Sequence, residues 1–348
     1  MLRIAPQFLE QVKSAETGAD LHEMVEHAIR LEFSTIPPYL TAMLSLHPGT
    51  NREIWSQIHE VVVEEMLHMT IASNLLNAIG GTPSLNTPDF LPTYPGPLPM
   101  AIGGGLIVTL EKFSLDQVRN VFMEIEEPEK PIDIPSTALA VPAFSTIGGF
   151  YEALKAQILA MGDAIFTGEP SRQVVPTDWF GGKIFPVLTA SDAARAIDLI
   201  VEEGEGTPDS PLDPDGEFAH YYKFEEISKL RRIKADPNSP VGFSFSGDAI
   251  AFDDQAVWNI TPNQKLSDLD RNSLAGRRAS QFSFVYSKLM NALHSAFTGA
   301  PEQFEVAMGL MFELKLAGQM LVQIPAVSNG QPTGLNAGPV FEYSSVPV

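Results

Sequence analysis

The sequence predicts a mainly α protein, a bundle of antiparallel helices with long elaborated loops and an extra C-terminal helical pair. Three observations predict it. Apolar residues recur at helical spacing along several long stretches. The 28 prolines and 26 glycines gather between most of those stretches, at about 80–105, 128–149, 204–216 and 325–340. The first two stretches are separated by only four residues, 47–50, which makes them antiparallel neighbours.

Residues 20–46 read as the first helix, with Asp20 as N-cap and Glu23 three residues on. Pro37-Pro38 interrupts it, because proline lacks an N–H and clashes with the preceding turn, so a kink or an end is expected there. Residues 51–79 form the second, stopped by Gly80-Gly81. Residues 104–112 (GGLIVTLEK) suggest a strand, followed by a short helix at 114–125. A third long helix spans about 146–167, and a fourth covers about 190–204, breaks at GEGTPDSPLDPDG and resumes at about 216–233. Two further helices follow at about 271–298 and 301–322. We expect residues 1–235 to form the bundle and 236–348 a C-terminal extension packed on it, as one compact unit.

Composition narrows the function. Hydrophobic residues at 44% and charged ones at 19% argue for a packed core over disorder. Lys plus Arg is 22 against 43 Asp plus Glu, a formal charge of −21, which disfavours nucleic acid and anionic membrane as partners. With no cysteine there is no disulfide, thiolate metal site or cysteine nucleophile. A metal would be held by carboxylate and imidazole, donors that suit iron, manganese or zinc. MLRIAPQFLEQV shows no leader-like apolar run and no stretch is long enough to span a bilayer, so a cytoplasmic protein is expected. Gly103-Gly104-Gly105 precedes a strand-like segment instead of joining strand to helix, and no Gly-x-Ser-x-Gly or GKS/T motif occurs.

The second helix carries the sharpest chemical signal. Glu65 and His68 are three residues apart and share a face with Val61, Val62, Met69 and Ala72. A carboxylate on an apolar face needs a cation, a proton or a salt bridge, since burying it alone costs several kcal/mol. Glu64 aligns with Gln57 and Glu60 and looks solvated. On the first helix Glu32 faces Ala28, Ile29, Thr35 and Ile36, whereas Glu26 is flanked by Arg30. A Glu opposite a Glu-x-x-His is half of a di-metal carboxylate site. Candidates for the other half are Glu152 on the third helix, the run Glu202-Glu203-Gly204-Glu205, and His220 in Glu217-Phe218-Ala219-His220. His220 shares an inward stripe with Phe224 and Ile227, while Glu217 could be a helix N-terminal charge. Periodicity favours Glu203 and Glu205 over Glu202. His22, His27, His47, His59 and His294 read as structural or exposed.

LEFSTIPPYLTAMLSL, EEMLHMTIASNLLNAIGG, IVEEGEG, AHYYKFEEI, FSFVYSKLMNALHSAFTG and NAGPVFEY together resemble the ferritin-like family typified by the iminophenyl-pyruvate dimer synthase of violacein biosynthesis, whose relatives act in rebeccamycin and staurosporine biosynthesis. The resemblance covers about residues 18–343. It implies a ferritin-like four-helix bundle with a metal centre held by Glu32, Glu65, His68 and His220, an acid of the third helix, for which Glu152 is the candidate, and an acid of IVEEGEG. There the family pattern points to Glu202 and Glu205, so Glu205 satisfies both lines of reading. Heme is associated with those enzymes, and no axial ligand is assignable here. The functional expectation is a di-iron or di-manganese protein that oxidises a small organic metabolite with O2 or peroxide. The alternatives are imine coupling in secondary metabolism and a non-catalytic metal-binding or structural role. The expected partners are a small-molecule substrate and other copies of the chain in a homo-oligomer.

Overall fold

A computed structural model describes residues 6–101, 105–128, 132, 134, 147–207 and 210–344. The protein is mainly helical, as expected. Helix α1 is Pro6–Ser14, α2 His22–Ser45, α3 Arg52–Ala78, α4 residues 115–125, α5 Ile147–Met161, α6 Ala190–Glu205, α7 His220–Lys229, α8 Leu274–Phe297 and α9 Gln303–Leu321. Two small antiparallel hairpins accompany them, β1 (Lys234–Ala235) with β2 (Phe243–Ser244), and β3 (Pro325–Ser328) with β4 (Gln331–Asn336).

Helices α2 and α3 are buried on nearly every side and form the centre of the molecule. The pair α5–α6 packs on one flank to complete the bundle, α4 and α7 close beside the α3–α6 seam, and α8–α9 pack against α2 and α3. Gly318 permits that last approach, because a Cβ there would stand 2.6 Å from Leu44 Cδ1 and 3.2 Å from Phe282 Cε2. One continuous apolar core runs through the bundle and the C-terminal pair.

The local chemistry explains most boundaries. Gly80, at φ 83°, ends α3, with Gly81 N–H donating to the Leu76 carbonyl at 2.8 Å. Thr189 and Asp192 cap α6 reciprocally, at 3.1 Å and 2.9 Å. Helix α5 stops at Met161, short of the expected 167, because Gly162 turns out at φ 69°. Asp20 does not cap α2. It caps a 3-10 turn, Gly18–Leu21, accepting from Thr17 N–H at 2.8 Å, and α2 follows directly.

Pro37 and Pro38 do not end α2, which runs on to Ser45. Pro38 cannot donate to the Ser34 carbonyl, and the Tyr94 hydroxyl does so instead at 2.6 Å. The strand expected at 104–112 is absent from its described part, 105–112, where only an isolated bridge joins Val108 to Gly96. Gly104, with Gly103 of the glycine run, and most of the Pro-rich 128–149 stretch lie outside the described residues. The fourth helix resumes at His220, not 216, so Glu217 precedes it. Among the described residues no helix is long and apolar enough to cross a membrane.

Candidate metal centre

Glu32, on α2, and Glu65 and His68, on α3, meet inside the bundle, each at most 5% exposed. One donor atom from each lies within 4.8 Å of the others. A second group of three satisfies the same condition: Glu65, His220 at the start of α7, and Glu126 just after α4. Glu65 belongs to both groups, so five side chains make two adjoining triads.

The two halves are built alike. His68 Nδ1 faces Glu32 Oε2 at 3.5 Å, and its Nε2 lies 2.9 Å from Glu203 Oε2. His220 Nδ1 faces Glu65 Oε1 at 2.9 Å and Glu126 Oε2 at 3.4 Å, and its Nε2 lies 3.0 Å from Glu64 Oε2. An ionised carboxylate only accepts, so Glu203 and Glu64 hold the Nε2–H form of each ring and aim Nδ1 inward. Each outer carboxylate also has a lysine: Lys183 Nζ is 2.6 Å from Glu203 Oε1, and Lys223 Nζ is 2.8 Å from Glu64 Oε2. The inner carboxylates are held by phenols. Tyr151 donates to Glu32 Oε1 and Tyr39 to Glu126 Oε1, leaving each Oε2 turned to its histidine. The Thr35 hydroxyl, 2.8 Å from Glu65 Oε2 and 2.7 Å from the Glu32 carbonyl, donates to one of them at a time.

Burial and crowding set the charges. Burial, then the neighbouring charge of Glu126, push the Glu65 carboxyl up to about 7. Burial alone would lower His68, but Glu203 and Glu32 outweigh it and raise it to about 10. His220 is likewise held well above its ordinary value against burial, by Glu126, Glu64 and Glu65. Glu64 falls to about 2 despite burial, because His220 and Lys223 hold its charge. Burial first, and then the carboxylate each one serves, keep Tyr39 and Tyr151 protonated. Without a metal the two imidazoliums, with Lys183 and Lys223 behind them, offset much of the carboxylate charge.

His220 Nδ1 is buried yet makes no hydrogen bond of proper geometry. Such an atom, aimed at two carboxylate oxygens, is placed to take a metal ion once its proton is lost. The donor set is oxygen and imidazole nitrogen throughout, which suits first-row divalent ions. A cavity of about 30 Å3 lies against both triads, between Leu31, Ile125, Tyr151 and Ile200, with half-exposed Ile147, Val201, Gly204 and Glu205 on its open side.

Of the residues singled out in the sequence, Glu32, Glu65, His68 and His220 come together. Glu205 reaches the same cavity but belongs to neither triad, and its Oε1 accepts from Gly148 N–H at 2.7 Å. Glu152 is not brought in: it faces outward and pairs with Lys155 at 2.6 Å, while its neighbour Tyr151 takes the inward position. Glu202 is not brought in either. It borders a surface cleft beside Asp198, whose charge, after burial, raises its pKa. The inward acid of that turn is Glu203, as periodicity indicates, and it supports His68 from behind. Glu64 corrects another expectation, since it is not solvated but faces α7. Glu126 escaped the sequence reading, although it lies four residues beyond Phe122 on the buried stripe of Val118 and Phe122. Glu217 is exposed, so Glu217 and His220 do not act as a helical pair. The other histidines lie elsewhere. His22 bonds the Ile79 carbonyl, His47 packs on Trp258, His59 stacks on Trp55, His27 packs on Phe8, and His294 Nδ1 accepts from Leu85 N–H.

Comparison with known proteins adds a lineage to this geometry. The profile of the ferritin-like family matches residues 25–229. A ferritin-like protein from Caulobacter vibrioides, known from its crystal structure, superposes with a TM-score of 0.60 at 22% identity, covering 93% of this chain and 97% of that one. No curated protein matches the chain.

Proposed function

The chain belongs to the ferritin-like family, and from that premise we propose that it is a di-iron carboxylate enzyme that oxidises a small organic metabolite with O2 or peroxide. The observation that carries this reading is the sharing of Glu65 between two buried carboxylate–histidine triads. Glu32 and His68 would hold one ion, Glu126 and His220 the other, with Glu65 common to both. Two bound irons would supply the electrons that O2 or peroxide requires.

The rest is the work of the chain. Glu203 and Glu64 orient the imidazoles. Tyr151 and Tyr39 restrict Glu32 and Glu126 to one free oxygen each. Loading a cation at Nδ1 requires His68 and His220 to lose their Nδ1 protons, so metal binding strengthens as pH rises. Leu31, Ile125 and Ile200 keep bulk water from the carboxylates. The cavity has room for an oxidant the size of O2, and the organic partner would be met at the half-exposed side marked by Ile147, Val201 and Glu205.

Elemental analysis of chelator-free protein from iron-replete cells tests the proposal. About two metal ions per chain are expected, with both lost in Glu65→Ala and one in Glu126→Ala. Protein that stays metal-free, or Glu65→Ala protein that keeps its metal, refutes it.

A second reading, imine coupling as in the iminophenyl-pyruvate dimer synthase, is supported by the similarity of motifs such as LEFSTIPPYLTAMLSL and AHYYKFEEI. It would show as a heme absorption band and a coupled product from an indolic or phenyl imine.

A further inference from the structure

A second cavity, apolar and of about 240 Å3, lies between the central helices and the C-terminal pair. Ile36 and Leu40 of α2 and Met66 and Met69 of α3 line it, and none of its lining residues also lines the cavity at the metal centre. The two cavities are thus separately lined, with Ile36 and Met69 each one helical turn beyond a metal-centre donor, Glu32 and Glu65. Trp179 and Phe180 form part of its lining. They are fixed from outside by the bond from Trp179 Nε1 to Glu305 Oε1 at 3.0 Å and by contact of the Phe180 and Phe304 rings. Five methionines in the lining make the walls adaptable to an elongated guest. The volume exceeds the roughly 150 Å3 of an apolar cavity that stays dry and admits benzene.

Apart from the Trp179 N–H, which is already bonded, two lining side chains are polar, His59 and Lys315. The Lys315 ammonium lies 5.9 Å from the Trp55 ring centre and 5.4 Å from that of Phe312. Its helical neighbours at three and four residues are Met311, Phe312, Gly318 and Gln319, none of them acidic. Among the described residues no carboxylate pairs with it, in a chain with 43 acidic side chains against 22 basic ones. Burial and the Lys315 charge lower the pKa of His59, so the positive charge at the cavity is that of Lys315. An apolar chamber with one unmatched cation on its wall complements an apolar molecule with one negative end.

We propose that this cavity binds a monocarboxylate with an apolar tail, a medium-chain fatty acid, with the tail among the methionines and the carboxylate at Lys315. The site is separate from the metal centre and does not depend on the function proposed for it.

Calorimetric titration of the full chain with decanoate, with and without metal, tests this. One decanoate per chain is expected. Hexanoate should bind about two orders of magnitude more weakly, at about fourfold per methylene. Decanol should bind at least about tenfold more weakly than decanoate, for want of the charge. Lys315→Met should bring decanoate down to the level of decanol with metal content unchanged. Met311→Trp, which fills the chamber from a half-buried position, should abolish binding in a protein with native circular dichroism. Equal binding of decanoate and decanol, or undiminished binding by Lys315→Met, overturns the proposal. So does the absence of binding together with a dimer that is dissociated by Leu316→Glu, a change at the exposed leucine next to Lys315 on α9, which would put a second copy over this face.

Discussion

Glu203 and Glu64 do for the two histidines what a side chain bound directly to an ion cannot do for itself. Each carboxylate selects one tautomer, fixes the ring plane and is itself held by a lysine, Lys183 or Lys223. Removing such a support typically weakens a metal site by about 10–100-fold while leaving its donors in place. Glu203→Gln is therefore expected to lose affinity by that factor at the His68 triad, with the His220 triad nearly unchanged. Competition with a chromophoric chelator reads both sites in one titration, and two equally weakened sites would contradict the division of labour. Glu203 also shows why periodicity and family pattern disagreed over IVEEGEG. Periodicity finds the acid that points inward, and Glu203 does so, but behind the histidine instead of beside the ion. Glu152 misled for a related reason. It is the acid in the right helix, yet Tyr151, one position earlier, faces the centre and reaches Glu32.

At the scale of elements, the centre joins parts with different sequence signatures. The long helices α2 and α3 carry Glu32, Glu65 and His68 on strong 3.6-residue patterns, and those donors were legible. Glu126 is not, because it sits one residue beyond the short helix expected at 114–125, where an acid reads as the start of a loop, although the Val118–Phe122 stripe points to it. Glu64 reads as solvated in the sequence because its partner α7 arrives from far along the chain, and a helical wheel shows a side chain's direction but not what waits there. Pro37-Pro38 was ambiguous for the same reason, since the phenol that satisfies Ser34 comes from a loop. That phenol can be tested alone. Tyr94→Phe leaves a buried carbonyl without a donor and is expected to destabilise the fold by about 1–3 kcal/mol. Urea unfolding measures it, and a change near zero would mean that α2 tolerates its prolines without help.

For the molecule as a whole, the buried charges make stability and metal loading respond oppositely to pH. His68 is raised from 6.5 to about 10, so its contribution is complete below about pH 6.5 and is lost as pH climbs through 10. Glu65, raised from 4.5 to about 7, contributes fully below about pH 4.5 and loses its contribution by 7. Glu64 is lowered from 4.5 to about 2, so its contribution holds above about pH 4.5 and fails towards 2. The metal-free protein should therefore be most stable in mildly acidic solution and lose several degrees of melting temperature by pH 9. The stabilisation given by added ferrous iron should grow over the same interval, because protons compete with the ion. Calorimetric scans with and without metal across pH 5–9 check this, and a metal-free protein more stable at 9 than at 5 would contradict it. The donors also lie far apart in the sequence, from Glu32 to His220. A growing polypeptide emerging from the ribosome has Glu32, Glu65 and His68 outside long before α7 exists to bring His220. Until then the early trio lacks half of its pocket, so cations met during synthesis find only a weak hold, and selection among them is deferred until the whole bundle has closed.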